Sequence, residues 1–181
     1  MGQYYIVANM DKEEYMESHN FVKLMEWSYN RNPLILTMEE LMAKEWRGDR
    51  VYVIGDYADG EQDLSNVEVI RELEKEVNLQ DSQENSLYMY IYNRFNKREY
   101  DDEIVNDYRY IYNHNTKEYI DMEHCPLVKD MGAFEDHGKW YHATIAPLSL
   151  MISLGNGLGG GDYWGNNSQF VGSWAKDTAS L

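Results

Sequence analysis

Thr37-Met38-Glu39-Glu40-Leu41-Met42-Ala43-Lys44-Glu45-Trp46, then Gly48, then Arg50-Val51-Tyr52-Val53-Ile54 is the stretch that decides the fold class. Thr37 and Glu40 stand at capping-box spacing, where each side chain can answer the other's backbone N–H. Leu41, Met42 and Trp46 follow at helical intervals, which predicts a helix over 37–46. Gly48 supplies a stop. The residues after it are β-branched and aromatic without interruption, the pattern of a buried strand. A helix leading straight into such a strand predicts an α+β fold. The expectation is one domain over 1–181, with a mixed or antiparallel sheet and at least two helices.

Working outward, Tyr4-Tyr5-Ile6-Val7-Ala8 reads as a first strand; Phe21 to Tyr29 fits a short helix or a strand, and a strand over Leu24 to Tyr29 is the expectation. The second helix is expected at 66–77, where Val67, Ile70, Leu73 and Val77 recur every three or four residues. Its other face carries Glu68, Glu72, Glu74 and Glu76. Leu87 to Tyr92 and Tyr108 to Tyr112 read as aromatic strands, and 112–120 as a hairpin with a polar turn. The acidic connection 93–107 is expected to be exposed, and 127–138 to be irregular. Trp140 to His142 is expected to form a strand. Pro147 can open a short helix over 148–154, and Trp174 is expected to pack onto the body. The two Tyr-rich stretches match too briefly to count as an internal repeat. A Tyr-rich, acidic central segment runs from about 61 to 135.

Composition narrows the function classes. The 181 residues include 16 Tyr and 5 Trp, and 32 acidic against 16 basic residues give a net charge of −16. Such a surface disfavours direct binding to nucleic acid, whose phosphates need cations. It suits a basic, nucleic-acid-binding partner instead. Tyr-rich edge strands also suit a homodimer. Cys125 is the single cysteine, so no disulfide forms within the chain. With no secretory segment and no long apolar run, the reading is a cytoplasmic protein without a membrane partner. Gly2 lacks the Ser or Thr at position 6 that N-myristoylation favours.

The densest motif is Gly155-Asn156-Gly157-Leu158-Gly159-Gly160-Gly161-Asp162-Tyr163-Trp164-Gly165. A Walker loop would place Lys and Ser or Thr after its glycines, where Asp162 and Tyr163 stand. A dinucleotide fingerprint would sit between a strand and a helix, and no helical stretch follows. Two readings remain: a structural corner, or a backbone nest for an anion with Tyr163, Trp164 or Trp174 stacking on a base. Asp56-Tyr57-Ala58-Asp59 follows the Arg50–Ile54 strand. Its two carboxylates could cap a turn or serve a hydrolase as acid and base. His137, near Asp136 and His142, is the other candidate acid or base. Asp121, Glu123, His124 and Cys125 offer zinc-type donors, but no second ligand pair appears at standard spacing, and neither metal nor cofactor is expected.

Met1-Gly2-Gln3-Tyr4-Tyr5, Lys23-Leu24-Met25-Glu26, Trp46-Arg47-Gly48-Asp49-Arg50-Val51, Gly55-Asp56-Tyr57-Ala58-Asp59, Gly155-Asn156-Gly157, Gly159-Gly160-Gly161-Asp162-Tyr163 and Val171-Gly172-Ser173-Trp174-Ala175 carry a resemblance. With them the chain resembles a family of small proteins from bacteriophages and mobile elements of gut bacteria. The resemblance covers the two ends and leaves out the segment from about 61 to 135. It carries over no catalytic residue. It implies a phage origin and a role against host defence, specifically as a type II anti-CRISPR that inhibits Cas9. The function expected is therefore a non-catalytic inhibitor binding a basic host nuclease complex. Its binding residues would be Asp56, Tyr57, Asp59, Gly155, Asn156, Gly157, Gly159, Gly160, Gly161, Asp162, Tyr163 and Trp174. Its acidic partner surface would hold Glu68, Glu72, Glu76, Asp101, Asp102 and Glu103. A sponge for a nucleotide signal, held at the glycine run, and a hydrolase using Asp56 or His137 are the alternatives.

Overall fold

The computed structural model describes residues 4–18, 30–58, 67–125, 133–136, 139–142, 145–154 and 170–181, with 133–136 and 139–142 described as backbone only. At its centre β1 (Tyr5–Asn9) pairs antiparallel with β2 (Glu14–Glu17) and with β3 (Val51–Gly55). β4 (Asn96–Lys97) extends the β2 side and β9 (Ser153–Leu154) the β3 side, both in parallel, so the five-stranded sheet is mixed. The expected α+β class with a mixed sheet is what the chain adopts.

Period-two alternation splits the core in two. Tyr5, Val7, Val51 and Val53 face one way, packing with Leu34, Ile35, Met38, Trp46, Leu148 and Trp174. Ile6, Ala8, Tyr52 and Ile54 face the other, against Val69, Ile70, Leu73, Leu87 and Ile91. β1 and β3 are therefore covered on both faces, which explains their unbroken apolar sequence.

The first face carries α1 (Pro33–Ala43). This helix begins earlier than expected. The Asn32 side chain accepts the Ile35 N–H, and Pro33 occupies the first turn, where its missing N–H costs nothing. Thr37 is consequently interior, and Trp46 lies beyond the helix, its indole N–H donating 2.8 Å to Glu14. Gly48, at φ +85°, turns the chain towards β3. The second face carries α2 (Val67–Glu76), as its periodicity predicts, and α3 (Leu87–Arg94). The expectation of a strand over 87–92 is thus corrected. The Ser86 side chain accepts the Met89 N–H, and Leu87, Tyr88 and Ile91 line one helical face. Arg50 ties this layer to the sheet, donating to both Asp11 and Glu76.

A three-stranded sheet, β10 (Ala179–Ser180), β5 (Tyr110–Asn113) and β6 (Glu118–Asp121), stands beside α1 and turns Ile111 and Ile120 into the first core. The hairpin foreseen at 112–120 is the β5–β6 pair. β7 (Ala133–Asp136) and β8 (Lys139–His142) pair as a separate ribbon, so part of the span expected to be irregular is extended. Pro147 opens α4 (Pro147–Met151). The strand expected at Leu24 to Tyr29 lies outside the described residues. Among the described residues no helix is long and apolar enough to cross a membrane.

Two hairpins share one turn. Asn9 and Asn113, both fully buried, each accept two backbone N–H groups from their own loop: Asp11 and Lys12 in the first, Asn115 and Thr116 in the second. Each also donates from Nδ2 to a distant aspartate, Asn9 to Asp49 at 2.8 Å and Asn113 to Asp177 at 2.7 Å. In each loop the fourth residue, Glu13 or Lys117, takes a positive φ.

Candidate interaction surface

The register of the β5–β6 hairpin decides what it shows to solvent. Tyr112 pairs with Tyr119 and Tyr110 with Asp121, so these four share the face opposite Ile111 and Ile120. Tyr110 is 48% and Tyr119 65% exposed. Their rings meet edge to face at 5.9 Å, a diagonal cross-strand pair. The Arg109 guanidinium lies 5.0 Å from the Tyr110 ring centre, within cation–π range. Among the described residues β6 is an edge strand of its sheet. Tyr and Arg gathered on an exposed face form the composition that anchors protein interfaces.

Arg109 also holds an acidic cluster, reaching Asp121 at 3.2 Å and Glu123 at 3.0 Å. His124 Nδ1 lies 2.9 Å from the same Asp121 carboxylate. The hydrogen bonds from Arg109 and then His124 hold Asp121 down at about 2. The residues read from sequence as zinc-type donors, Asp121, Glu123 and His124, do come together, with ligand atoms within 4.8 Å of one another. A guanidinium already neutralises two of them.

Residues 101–108 are laced along α1. The Asp101 N–H donates to Thr37 Oγ1, Asn106 Nδ2 to the Leu36 carbonyl, and Tyr108 OH to Glu40. That last bond is the main reason the Tyr108 hydroxyl is pushed up to about 12. Arg31 pairs with Asp107 at 2.8 Å. Asp101, Asp102 and Glu103 stay exposed at the head of this strap, which leads directly into the aromatic face. Between strap and helix lies a cavity of about 490 Å³ walled by Arg31, Glu39, Asp107, Tyr108, Arg109 and Glu123 among others. Glu39 is the unusual member. It is buried, its Oε1 has no hydrogen-bond partner among the described residues, and burial raises its carboxyl to about 7.

The residues singled out from sequence are scattered. Asp56 Oδ1 accepts the Tyr4 N–H at 3.0 Å, and the Asp56 N–H donates to the Tyr4 carbonyl, which closes the β1–β3 ladder. Tyr57 is exposed, and Trp174 is buried in the first core as expected. Glu68 pairs with Lys176 and Glu76 with Arg50, so two acids of the expected α2 surface already face internal cations. Asp59, Gly155, Asn156, Gly157, Gly159, Gly160, Gly161, Asp162, Tyr163 and His137 lie outside the described residues. Sequence reading missed Arg109, Tyr110, Tyr119 and Glu39. For the tyrosines a signal existed, since Tyr110, Tyr112 and Tyr119 alternate onto one face once the hairpin is drawn. No family model, no curated protein and no solved structure matches the chain.

Proposed function

We propose that this chain is a non-catalytic inhibitor of the phage anti-defence type, one that binds a basic host nuclease complex such as a Cas9–guide RNA particle. The observation that carries the reading is the uncovered Tyr110–Tyr119 pair with Arg109 above it, continuous in chain with the exposed acids Asp101, Asp102 and Glu103. Tyr and Arg supply the anchoring area. The acids and the net charge of −16 supply attraction to channels that hold nucleic acid with positive charge. The inhibitor blocks by occupying such a channel or bridging its rim, and no bond is made or broken.

The test is cleavage of a target plasmid by purified Cas9–guide complex over a concentration series of this protein. Dose-dependent protection is expected, weaker in Tyr110→Ala/Tyr119→Ala and weaker as salt rises from 50 to 300 mM, conditions chosen to span strong and weak screening. Full cleavage at large molar excess, across several Cas9 orthologues, overturns the reading. Protection unchanged by salt and by Asp101→Asn/Asp102→Asn/Glu103→Gln removes its electrostatic part.

A further inference from the structure

β6 leaves backbone groups open as well as rings. The Met122 N–H donates to the Arg109 carbonyl at 2.8 Å, which makes Arg109 and Met122 a hydrogen-bonded pair. Such pairs alternate along an antiparallel ladder, so Ile111–Ile120 and Asn113–Glu118 exchange bonds too, while Tyr119 and Asp121 turn their N–H and C=O groups away from β5. On β5 the outward groups of Tyr112 are met by Ser180 of β10. On β6 the Asp121 carbonyl accepts the His124 N–H at 3.0 Å, and among the described residues nothing answers the Tyr119 N–H, the Tyr119 carbonyl or the Asp121 N–H. A cavity of about 650 Å³ adjoins this edge, lined by Lys117, Glu118, Tyr119, Met151, Phe170 and Trp174 among others. Of its described wall, the sheet contributes only the β5–β6 turn and β6, so the cavity lies on the outer flank of β6 and not beneath β5. Its mouth at Lys117, Glu118 and Tyr119 is exposed, Phe170 is half-buried, and Met151 and Trp174 form the depth.

We propose that β6 takes up an extended segment of a partner protein as an added antiparallel strand, one large apolar side chain of which enters this cavity while Lys or Arg side chains beside it lie over Tyr119 and Asp121. Side chains of an added strand alternate between the two faces, in step with those opposite. The residue set against Glu118 falls on the face of Ile120 and so into the cavity. Those set against Tyr119 and Asp121 fall on the tyrosine face, where a ring and a carboxylate receive a cation. Backbone bonds at Tyr119 and Asp121 supply affinity, and the cavity supplies selection. The net charge of −16 favours a basic partner over a second copy of this chain, which it repels. The inference rests on the reading of the Tyr110–Tyr119 face as a contact surface, but it does not require the partner to be a nuclease, and its test uses none.

The experiment is NMR of the full chain with nitrogen-labelled amides, titrated with a capped Thr-Arg-Thr-Arg-Phe-Arg-Thr peptide. Saturable shifts are expected at the Tyr119 and Asp121 amides and the Trp174 indole, with slowed hydrogen exchange at those two amides. Three altered peptides should each bind about tenfold more weakly: Ala in place of Phe, Glu in place of every Arg, and an N-methyl group on the Arg before Phe, which removes the bond to the Tyr119 carbonyl. Ser173→Phe, which fills the cavity from an exposed position, should weaken binding to a similar degree. Absence of binding, equal binding by any of the altered peptides, or unchanged affinity in folded Ser173→Phe overturns the proposal. So does protection of the Tyr119 and Asp121 amides in the free chain, by a second copy if sedimentation shows a dimer and by the chain's own residues if it shows a monomer. The altered peptides decide it should Ser173→Phe fail to fold. Peptide binding that holds while plasmid protection fails overturns the inhibitor reading alone.

Discussion

The β1–β2 and β5–β6 hairpins are built on one plan and used in opposite ways. Asn9-Met10-Asp11-Lys12-Glu13-Glu14-Tyr15 and Asn113-His114-Asn115-Thr116-Lys117-Glu118-Tyr119 run in step. Each pairs its Asn with a Glu across a four-residue loop, and each places a Tyr one residue further on. Tyr15 lies under α3, 5% exposed and 5.6 Å from the Tyr92 ring. Tyr119 occupies the same station at 65% exposure, with Tyr110 beside it. The same turn thus makes a core element where a helix covers it and an open aromatic face where none does. Cover, and not hairpin chemistry, decides which tyrosines serve stability and which are left for contact.

Substituting the paired tyrosines should separate the two uses most widely. Tyr15→Ala should cost about 3 kcal/mol in urea unfolding, the ordinary loss for a buried aromatic. Tyr119→Ala should cost less than about 0.5 kcal/mol, as surface changes do, while weakening partner binding. Equal losses of stability at both sites would break the comparison. The shared asparagine should behave alike in both. Asn9→Ala and Asn113→Ala each remove the oxygen that accepts two loop N–H groups and the Nδ2 donor to a distant aspartate, and each should cost about 2 kcal/mol.

Glu39, beside the second hairpin, provides a further contrast through pH. Burial raises its carboxyl from the ordinary 4.5 to about 7, so the folded state holds the proton more tightly than the unfolded chain. Its contribution to stability is therefore fully present below pH 4.5 and is lost as pH rises through 7. Relative to Glu39→Gln, the wild type should lose about 2 kcal/mol between pH 5 and pH 8 in parallel denaturation curves. Identical curves for the two proteins would contradict a buried, poorly matched carboxyl. The smallest effect belongs to the loops. Glu13→Gly and Lys117→Gly relieve positive φ at matching positions, and each should raise stability by about 0.5 kcal/mol in the same assay.

Elements whose signal is local were legible in the sequence. β1, β3, α2 and the β5–β6 hairpin follow from alternation or helical spacing, and Pro147 does open a helix. Where two local signals competed, the wrong one was read. Leu87, Met89 and Ile91 alternate like a strand, yet Ser86 caps a helix there and burial selects 87, 88 and 91. Thr37 and Glu40 imitate a capping box, but Asn32 with Pro33 starts the helix a turn earlier. The repeated turn escaped notice because its identity lies in Asn side chains and not in the Tyr strands around it. The aromatic face and the Glu39 cavity were harder still. Both depend on which element covers which, and residues far apart in sequence settle that.

The pairing of Val53 with Ser153 and Ile54 with Leu154 gives the fold its own timetable. Both hairpins close over four-residue loops, an event on the order of microseconds. The edge of the central sheet instead waits for partners about a hundred residues downstream, a closure with a much larger entropic barrier. The chain therefore acquires its hairpins early and its complete five-stranded sheet late. Until β9 arrives, the outer edge of β3 stands open to any other strand, and it is in that interval that the molecule is most exposed to aggregation.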